Sequence, residues 1–295
     1  MTTTMRAWTQ RGYGGPETVS RERLPVPSPK PRQVVVRMRA VGLNAGDVHL
    51  LRGDPLLVRL AFGLMRPKQP VRGMDVAGRV TAVGAKVSGF AVGDEVVAEA
   101  GGGGLASFVP VDAKRLARRP ENVDPDAAAV LPIAAGTAAQ ALDLAGVAAG
   151  HRVLVIGASG GVGTFAVQLT TIRGAEVWAL CGQHSQQLVE DLGAVRTFDY
   201  RQTDAGDLLA NSFDAIIDLA GTAPLRVLHD LLAPAGTLVL VGGEGGRVLG
   251  PIPGCCRRRC CARGRGAASA LSRRRRTPSS CRISSRSPRK GGSPR

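Results

Sequence analysis

The sequence predicts an α/β protein with two domains followed by a basic tail. In residues 1–125, Gly and Pro punctuate short β-type runs, which is typical of a small barrel or sandwich. Residues 126–250 alternate continuously apolar runs with helix-length segments, the pattern of βαβ units in a doubly wound parallel sheet. Residues 251–295 are rich in Arg, Gly, Pro and Ser and poor in large apolar side chains, which predicts disorder.

The net charge of +16 arises mainly from that tail. The tail holds 14 of the 39 Lys and Arg residues and none of the 23 Asp and Glu residues, so residues 1–250 carry a net charge of +2. Five of the six cysteines also lie in the tail. The single cysteine before it argues against a disulfide scaffold and favours a cytoplasmic location. No apolar run approaches the roughly 20 residues of a membrane span, so we expect no membrane partner.

The first domain is predicted to be built from short strands. A Pro-rich stretch, residues 25–31, resists helix formation and precedes the first clear strand, residues 34–41. Two further Val-rich runs between glycine turns, residues 75–84 and 94–98, predict the strands that follow.

The second domain is predicted to begin with two Ala-rich helices, at residues 127–131 and 137–144, which Pro132 and Gly136 break apart. Short apolar strands separated by helix-length segments follow them, so we expect these strands to run parallel. The predicted strands are residues 153–156, 177–181, 196–200, 215–219 and 237–241.

The most specific local motif is Gly-Ala-Ser-Gly-Gly-Val-Gly at residues 157–163, between a buried strand and an amphipathic helix. A Cβ in this turn would hold the backbone away from a pyrophosphate, so glycine favours a close approach. Free N–H groups and the helix dipole would then stabilise the negative charge. The motif predicts a dinucleotide site. The alternative is a tight strand–helix turn without a ligand.

The end of the second predicted strand indicates which dinucleotide is bound. NAD-binding units normally place an acidic residue there to hold the ribose hydroxyls. This chain instead has Gly182, Gln183 and His184, with no carboxylate in residues 180–185. These residues would tolerate a 2′-phosphate, which favours NADP(H) over NAD(H). For His184, a solvated loop residue is an equally good interpretation.

Several short motifs follow one another in a specific order. They are Met-Arg-Ala at residues 5–7, Gly-Leu-Asn-Ala-Gly-Asp at 42–47, Gly-Met-Asp-Val-Ala-Gly at 73–78, Val-Gly-Asp-Glu-Val at 92–96, Gly-Thr-Ala-Ala-Gln-Ala-Leu at 136–142, and the glycine loop at 157–163. In this order they resemble the medium-chain dehydrogenase/reductase superfamily, and most closely its zinc-free quinone oxidoreductase branch. The resemblance covers residues 5 to about 250. It implies a GroES-like catalytic domain, a Rossmann domain, and a cleft between them where the nicotinamide meets the substrate.

The ligands of a catalytic zinc are missing from the matching positions. Zinc alcohol dehydrogenases need Cys and His around an open tetrahedral site. This chain has Asn44 in place of the first Cys, and Met74 and Asp75 in place of a His-Glu pair. No cysteine precedes Cys181, so the four-Cys structural zinc lobe is missing as well. We therefore expect no metal, and hydride transfer that depends on cofactor positioning and hydrogen-bond donors.

The resemblance also implies which residues surround the cofactor. The pyrophosphate would contact Ser159, Gly160, Gly161 and Val162. Thr137 would approach the nicotinamide, Tyr200 would lie near the adenosine phosphate, and Gly242 and Gly243 would border the nicotinamide after the fifth strand.

On the substrate side, the resemblance implies that Asn44 faces the active site. Asp47 is more plausibly a structural hydrogen-bonding residue, and His49 a surface residue. We assign no general acid, since the family's reaction often takes its proton from solvent or through the ribose.

The expected function is that of an NADP(H)-dependent, zinc-independent oxidoreductase that transfers hydride to a quinone, an enone or a related carbonyl compound. One alternative is an alcohol or aldehyde dehydrogenase of the same superfamily. The alternative from another class is nucleic-acid binding through the Arg-rich tail, which could neutralise phosphates. Of the possible partners, we expect a small-molecule substrate rather than nucleic acid, and the family is usually homodimeric.

The tail itself allows three interpretations: a basic arm, a metal site, or a frameshifted remnant. Its cysteines, at positions 255, 256, 260, 261 and 281, lack the usual C-x-x-C spacing. The resemblance stops abruptly at Pro253, and Arg, Cys, Ala, Gly, Pro and Ser are what G+C-rich codons encode in a wrong frame. We favour the frameshift. It would leave the fifth strand as a sheet edge and remove the family's dimer surface.

Overall fold

One antiparallel and one parallel set of strands make up the computed structural model, which describes residues 3–242. The predicted class, a GroES-like β-rich domain followed by a Rossmann-type parallel sheet, is confirmed over these residues. The predicted tail, residues 251–295, and Gly243 lie outside the described residues.

The β-rich part contains two antiparallel sheets. Strands β1 (Thr4–Gln10) and β2 (Val19–Pro25) pair with each other. A five-stranded sheet has the spatial order β6-β3-β4-β5-β7. Its strands are β3 (Gln33–Gly42), β4 (Asp75–Val83), β5 (Glu95–Glu99), β6 (Phe108–Asp112) and β7 (Leu116–Arg118). Alternate valines of these strands form the core, among them Val34, Val36, Val76, Val80 and Val109, because successive side chains of a strand point to opposite faces.

Two short helices, α1 (Ala45–Arg52) and α2 (Leu57–Phe62), connect β3 to β4. Helix α1 begins directly after Asn44 and ends at Gly53, which has a φ of 62°. Glycine adopts this left-handed conformation without the steric cost that a Cβ brings. The connection therefore places Asn44 where β3 ends and a helix begins.

The link to the second domain is more continuously helical than predicted. Helix α3 (Pro125–Ala129) is followed by a π-helical turn (Leu131–Ala135) and directly by helix α4 (Gly136–Leu144). The prediction that Gly136 breaks the helix was wrong: its φ of −61° and ψ of −41° are helical. Glycine permits other conformations but does not require them. Ala128 and Ala129 pack against Ala77 of β4, so this link also holds the two domains together.

All five predicted strands of the second domain are present and parallel. They are β8 (Arg152–Ile156), β9 (Glu176–Cys181), β10 (Arg196–Asp199), β11 (Phe213–Asp218) and β12 (Leu232–Leu240). Their spatial order is β10-β9-β8-β11-β12. The intervening helices are α5 (Gly161–Ile172), α6 (Gln186–Asp191) and α7 (Leu225–Leu231). Both sheet faces are buried, one around Val153 and Val177 and the other around Leu154 and Ile216. Within residues 3–242, β12 has a strand neighbour on one side only.

Candidate cofactor site and active site

At the carboxyl edge of the parallel sheet, the order of the strands reverses between β8 and β11. Such a switch point is where open α/β sheets bind their ligands. A Cβ built on Gly157, after β8, would lie 3.4 Å from the Cβ of Leu219, after β11. A Cβ on Gly242, after β12, would lie 2.7 Å from the carbonyl oxygen of Leu219. The loops after three strands therefore meet, and Gly242 lies on the same edge as the glycine loop.

The start of α5 is open and uncapped. Gly160 is its N-cap residue, and no side chain accepts a hydrogen bond from this end of the helix. Gly160 and Gly161 are both exposed, while Ser159 and Val162 are half-buried. Within residues 3–242, a Cβ on Gly161 would meet no atom within 4 Å apart from its own helix backbone. Since the first N–H groups of a helix have no intrahelical acceptor, this end offers free donors and the room for an anion.

Two other glycines in the loop have a packing role. Gly157 has a φ of 83°, in the left-handed region that favours glycine. A Cβ on Gly163 would lie 2.2 Å from the carbonyl oxygen of Gly157 and 2.6 Å from that of Ala158. Gly157 and Gly163 therefore let the strand turn sharply into the helix, whereas Gly161 leaves open space in front of it.

The predicted adenosine end is assembled from the ends of β9 and β10. Gln183 and His184 are exposed in a short turn that follows Gly182. A Cβ on Gly182 would lie 3.6 Å from Cε1 of Tyr200, so Gly182 and Tyr200 lie side by side. The guanidinium carbon of Arg201 lies 5.3 Å from the centre of the Tyr200 ring, within cation–π distance.

Sequence reasoning missed Arg201. A basic residue directly after the third predicted strand is a usable signal, because the carboxyl ends of neighbouring parallel strands share one edge of the sheet. The nearby carboxylate of Asp199 is buried, and its Oδ1 accepts the backbone N–H of Arg201 at 3.2 Å. That acidic group therefore orders the turn that carries Arg201.

Thr137, which is predicted to lie near the nicotinamide, is the second residue of α4 and is half-buried. Helix α4 packs against α5, the helix that carries the glycine loop. The structure thus places Thr137 on a helix that is adjacent to the glycine loop and directly follows the π-helical turn. Gly242 is the last described residue at the carboxyl edge of the sheet.

On the catalytic domain, Asn44 lies between two buried carboxyl groups. Its backbone N–H donates to Oδ2 of Asp47 at 3.0 Å, and its side-chain Nδ2 donates to Oδ2 of Asp75 at 3.1 Å. Oδ1 of Asp47 also accepts the N–H of Gly73 at 2.9 Å, so Asp47 ties α1 to the entry of β4. His49 is exposed, with its Nδ1 2.9 Å from the carbonyl oxygen of Asp54.

Asp75 joins the two domains at this point. Its side chain is fully buried, and its Oδ2 accepts a second hydrogen bond, at 3.0 Å, from the N–H of Ile133 in the π-helical turn. Burial raises the pKa of Asp75 to about 6, although the hydrogen bonds from Asn44 and Ile133 favour the charged form. Sequence reasoning gave this residue no role beyond its occurrence in place of a zinc-ligand pair. Its connection to Ile133 depends on how the domains pack.

Residues 3–242 contain no cluster of three or more His, Cys, Asp or Glu side chains arranged to hold a metal ion. In the same residues, no helix is both long and apolar enough to cross a bilayer.

Comparison with known proteins places both halves of the chain in described families. Residues 30–121 match the family described as "Alcohol dehydrogenase GroES-like domain", and residues 161–262 match "Zinc-binding dehydrogenase". Over 253 residues the chain is 35% identical to a "Chloroplast envelope quinone oxidoreductase homolog" of Arabidopsis thaliana, covering 80% of this chain and 74% of that protein. It is also 34% identical to the "NADPH-dependent alkenal/one oxidoreductase, chloroplastic" of the same plant, covering 81% and 63%.

Among solved structures, the chain is similar to the quinone oxidoreductase from Coxiella burnetii. The TM-score is 0.76 at 25% sequence identity, and the match covers 91% of this chain and 83% of that one. Because the match covers 91% of this chain, it includes both the β-rich part and the parallel sheet.

Proposed function

We propose, because the chain belongs to the quinone oxidoreductase-like branch of the medium-chain dehydrogenase/reductase superfamily, that it reduces a quinone, an enone or a related carbonyl compound with NADPH. The observation that carries the proposal is the open, uncapped start of α5 at the sheet's switch point, where a Cβ on Gly161 would meet no atom of another element within 4 Å in the described part of the chain. That space and the free N–H groups around it fit a pyrophosphate.

Particular residues of this chain would hold the dinucleotide. Ser159, Gly160, Gly161 and Val162 would bind the pyrophosphate, and Thr137 and Gly242 would lie beside the nicotinamide, which supplies the hydride when bound. The carboxyl edge of the sheet and the helix α4 would exclude water from one side of the ring. On the other side Asn44, half-buried at the start of α1, would offer a hydrogen bond to the substrate's oxygen as negative charge develops there.

The preference for NADP(H) is supported by the charges at the adenosine end. No carboxylate occurs in residues 180–185. A carboxylate at this position would bind the ribose hydroxyls and repel a 2′-phosphate. Arg201, held against Tyr200 beside Gly182, brings a cation to the same place. An arginine guanidinium recognises phosphate through charge and paired hydrogen bonds.

Zinc independence is supported by the chemistry of the groups that replace the ligands. The Asn44 amide nitrogen already donates to Asp75, and Met74 offers only a thioether. Zinc sites in proteins use thiolates, imidazoles and carboxylates. Of the three replacing residues only Asp75 has a carboxylate, and it is fully buried.

The substrate class is proposed from the relatives, a quinone oxidoreductase homolog and an alkenal/one oxidoreductase, since quinones and alkenones share a double bond conjugated with a carbonyl group.

Cofactor binding by the full chain tests the proposal. We expect NADPH at saturating concentration to raise the melting temperature by several degrees and NADH to raise it less, because a ligand that binds only the folded state stabilises it by mass action. Differential scanning fluorimetry measures both. Adenosine triphosphate at the same concentration controls for a general effect of anions. If neither nicotinamide nucleotide changes the melting temperature, the proposed function is wrong.

Substitution of Arg201 tests the cofactor preference separately. Arg201→Gln removes the cation beside Tyr200, so we expect NADPH to bind roughly 10-fold more weakly, in line with a lost charge-assisted hydrogen bond, and NADH to bind unchanged. Arg196→Gln is the matched control, since Arg196 also lies over an aromatic ring, that of Trp178, but at the opposite end of the same strand. Fluorescence titration gives all the dissociation constants. If Arg201→Gln weakens the binding of NADPH and NADH equally, Arg201 does not recognise the 2′-phosphate.

A further inference from the structure

We propose that Asp75 is a positioning residue that fixes the side-chain amide of Asn44 and couples it to the cofactor domain through the N–H of Ile133. The inference rests on the proposed function for its effect on turnover, but the contacts that carry it are independent of any ligand. Oδ2 of Asp75 accepts Nδ2 of Asn44 at 3.1 Å and the N–H of Ile133 at 3.0 Å. One carboxylate oxygen therefore holds one donor from each domain.

The burial pattern shows that Asp75 acts through Asn44 rather than on a substrate. Asp75 is 0% exposed, whereas Asn44 is partly accessible. The backbone of Asn44 is held on its other side by Asp47, whose Oδ2 accepts its N–H. Asn44 is thus anchored at both its backbone and its side chain, and a substrate that reaches Asn44 does not reach Asp75.

The charge state of Asp75 determines which end of the Asn44 amide faces it. An ionised carboxylate only accepts hydrogen bonds, so the amide NH₂ of Asn44 must point towards it. A protonated carboxyl group can also donate, and it then tolerates the reverse orientation, in which the amide oxygen of Asn44 faces Asp75. Ionised Asp75 therefore enforces one orientation, whereas protonated Asp75 leaves the orientation to the capping box of α1, in which the Asn44 side chain accepts the backbone N–H of Asp47.

The surroundings make this charge state sensitive to pH near neutrality. Burial is the largest cause that raises the pKa of Asp75, and the acidic groups of Glu99 on β5 and Asp47 on α1 act in the same direction; with the opposing hydrogen bonds included, the pKa is about 6. The other elements packed around it present Gly42 of β3, Ala128 and Ala129 of α3, and the uncharged π-helical turn. Within residues 3–242, Oδ1 of Asp75 has no hydrogen-bond donor.

The Asp75→Asn and Asp75→Leu variants separate charge from hydrogen bonding. Asparagine can present its amide oxygen to both Asn44 and Ile133 but does not titrate, whereas leucine, which has the same branching but is larger, removes both hydrogen bonds. Turnover is followed as NADPH oxidation by full-length protein with 9,10-phenanthrenequinone from pH 5 to 8.5. We expect the wild type to lose turnover as the pH falls through about 6 and D75N to lack this acid limb. D75L also carries no titrating group, so its kcat should lie about 10-fold below the wild-type value at neutral pH and stay there as the pH falls, with KM for NADPH little changed.

Two further measurements distinguish positioning from a general structural role. In an Asn44→Ala background, D75L should cause no additional loss of kcat, because the residue through which Asp75 acts is gone. The side-chain amide resonances of Asn44, assigned by their absence in N44A, should shift with a midpoint near pH 6 in the wild type and stay fixed in D75N. This NMR measurement needs neither cofactor nor substrate.

The outcomes keep the two proposals apart. A wild type that binds NADPH but reduces no quinone or enone at any pH contradicts the proposed function, and the NMR titration then decides on Asp75 alone. An acid limb that persists in D75N, an equal loss from D75L with and without Asn44, or Asn44 resonances that do not respond to Asp75 would each overturn the positioning role.

Discussion

Gly163→Ala should unfold the turn between β8 and α5 and remove cofactor binding. The new Cβ would lie 2.2 Å from the carbonyl oxygen of Gly157 and 2.6 Å from that of Ala158. Both are backbone atoms in the turn itself, so no side-chain rotation relieves the overlap and the loop must move. Overpacking of this kind costs about 1–3 kcal/mol or more. We expect urea denaturation to show a decrease in the free energy of unfolding at the upper end of that range, and NADPH affinity to fall by at least 10-fold.

Gly161→Ala is the matched control, because it adds the same methyl group two residues earlier, where no atom outside its own helix lies within 4 Å among residues 3–242. Alanine also favours a helix over glycine by up to about 1 kcal/mol. We therefore expect G161A to be as stable as the wild type or more stable, and yet to bind NADPH more weakly, because its methyl group occupies the space proposed for the pyrophosphate. Wild-type affinity in G161A would place the phosphates elsewhere, and wild-type stability in G163A would contradict the packing of the loop.

The parallel sheet could be predicted from the sequence because its signal is local. A strand buried on both faces must be continuously apolar, and each of the five runs, from residues 153–156 to 237–241, became a strand. The start of β12 was predicted five residues late. The run Leu-Ala-Pro-Ala-Gly at residues 232–236 contains a proline and a glycine, and β12 there follows directly on α7. Within that segment only Leu232 pairs with β11, opposite Phe213, and after a shift in register the pairing resumes at Thr237.

The glycine loop could be predicted equally well from the sequence, since its residue types follow from the backbone geometry that they allow. The environment of Asn44 was not, because its two carboxylate neighbours come from different elements, Asp47 from α1 and Asp75 from β4. No periodicity or spacing relates residue 75 to Ile133, 58 positions away. Arg201 lay between these cases: its position after a strand was readable, but its contact with Tyr200 depends on the turn that Asp199 orders.

The charge on Asp75 also has a consequence for stability that needs no substrate. Its carboxyl group has a pKa of about 6 in the folded protein against 3.8 ordinarily, so the folded state holds its proton more tightly than the unfolded chain. The stabilisation from that proton is complete below about pH 3.8 and is lost as the pH rises through about 6. In Asp75→Asn, residue 75 does not titrate, so its contribution to stability does not fall with pH. The difference in the free energy of unfolding, D75N minus wild type, should therefore increase between pH 4 and pH 7.5 by on the order of 3 kcal/mol.

Glu95→Gln provides a control of opposite sign from the neighbouring strand β5. Burial alone would raise the pKa of Glu95, but the hydrogen bonds and charges of Arg119 and Arg39 lower it overall. Its ionised form therefore stabilises the protein at neutral pH, and this contribution is lost as the pH falls below the ordinary range of a glutamate. E95Q should lose stability relative to the wild type between pH 4 and pH 7.5, while D75N gains it. Urea denaturation at a series of pH values measures both differences. Curves of the same sign would show that Asp75 is held as a stabilised carboxylate, and the burial on which its role at Asn44 depends would then be wrong.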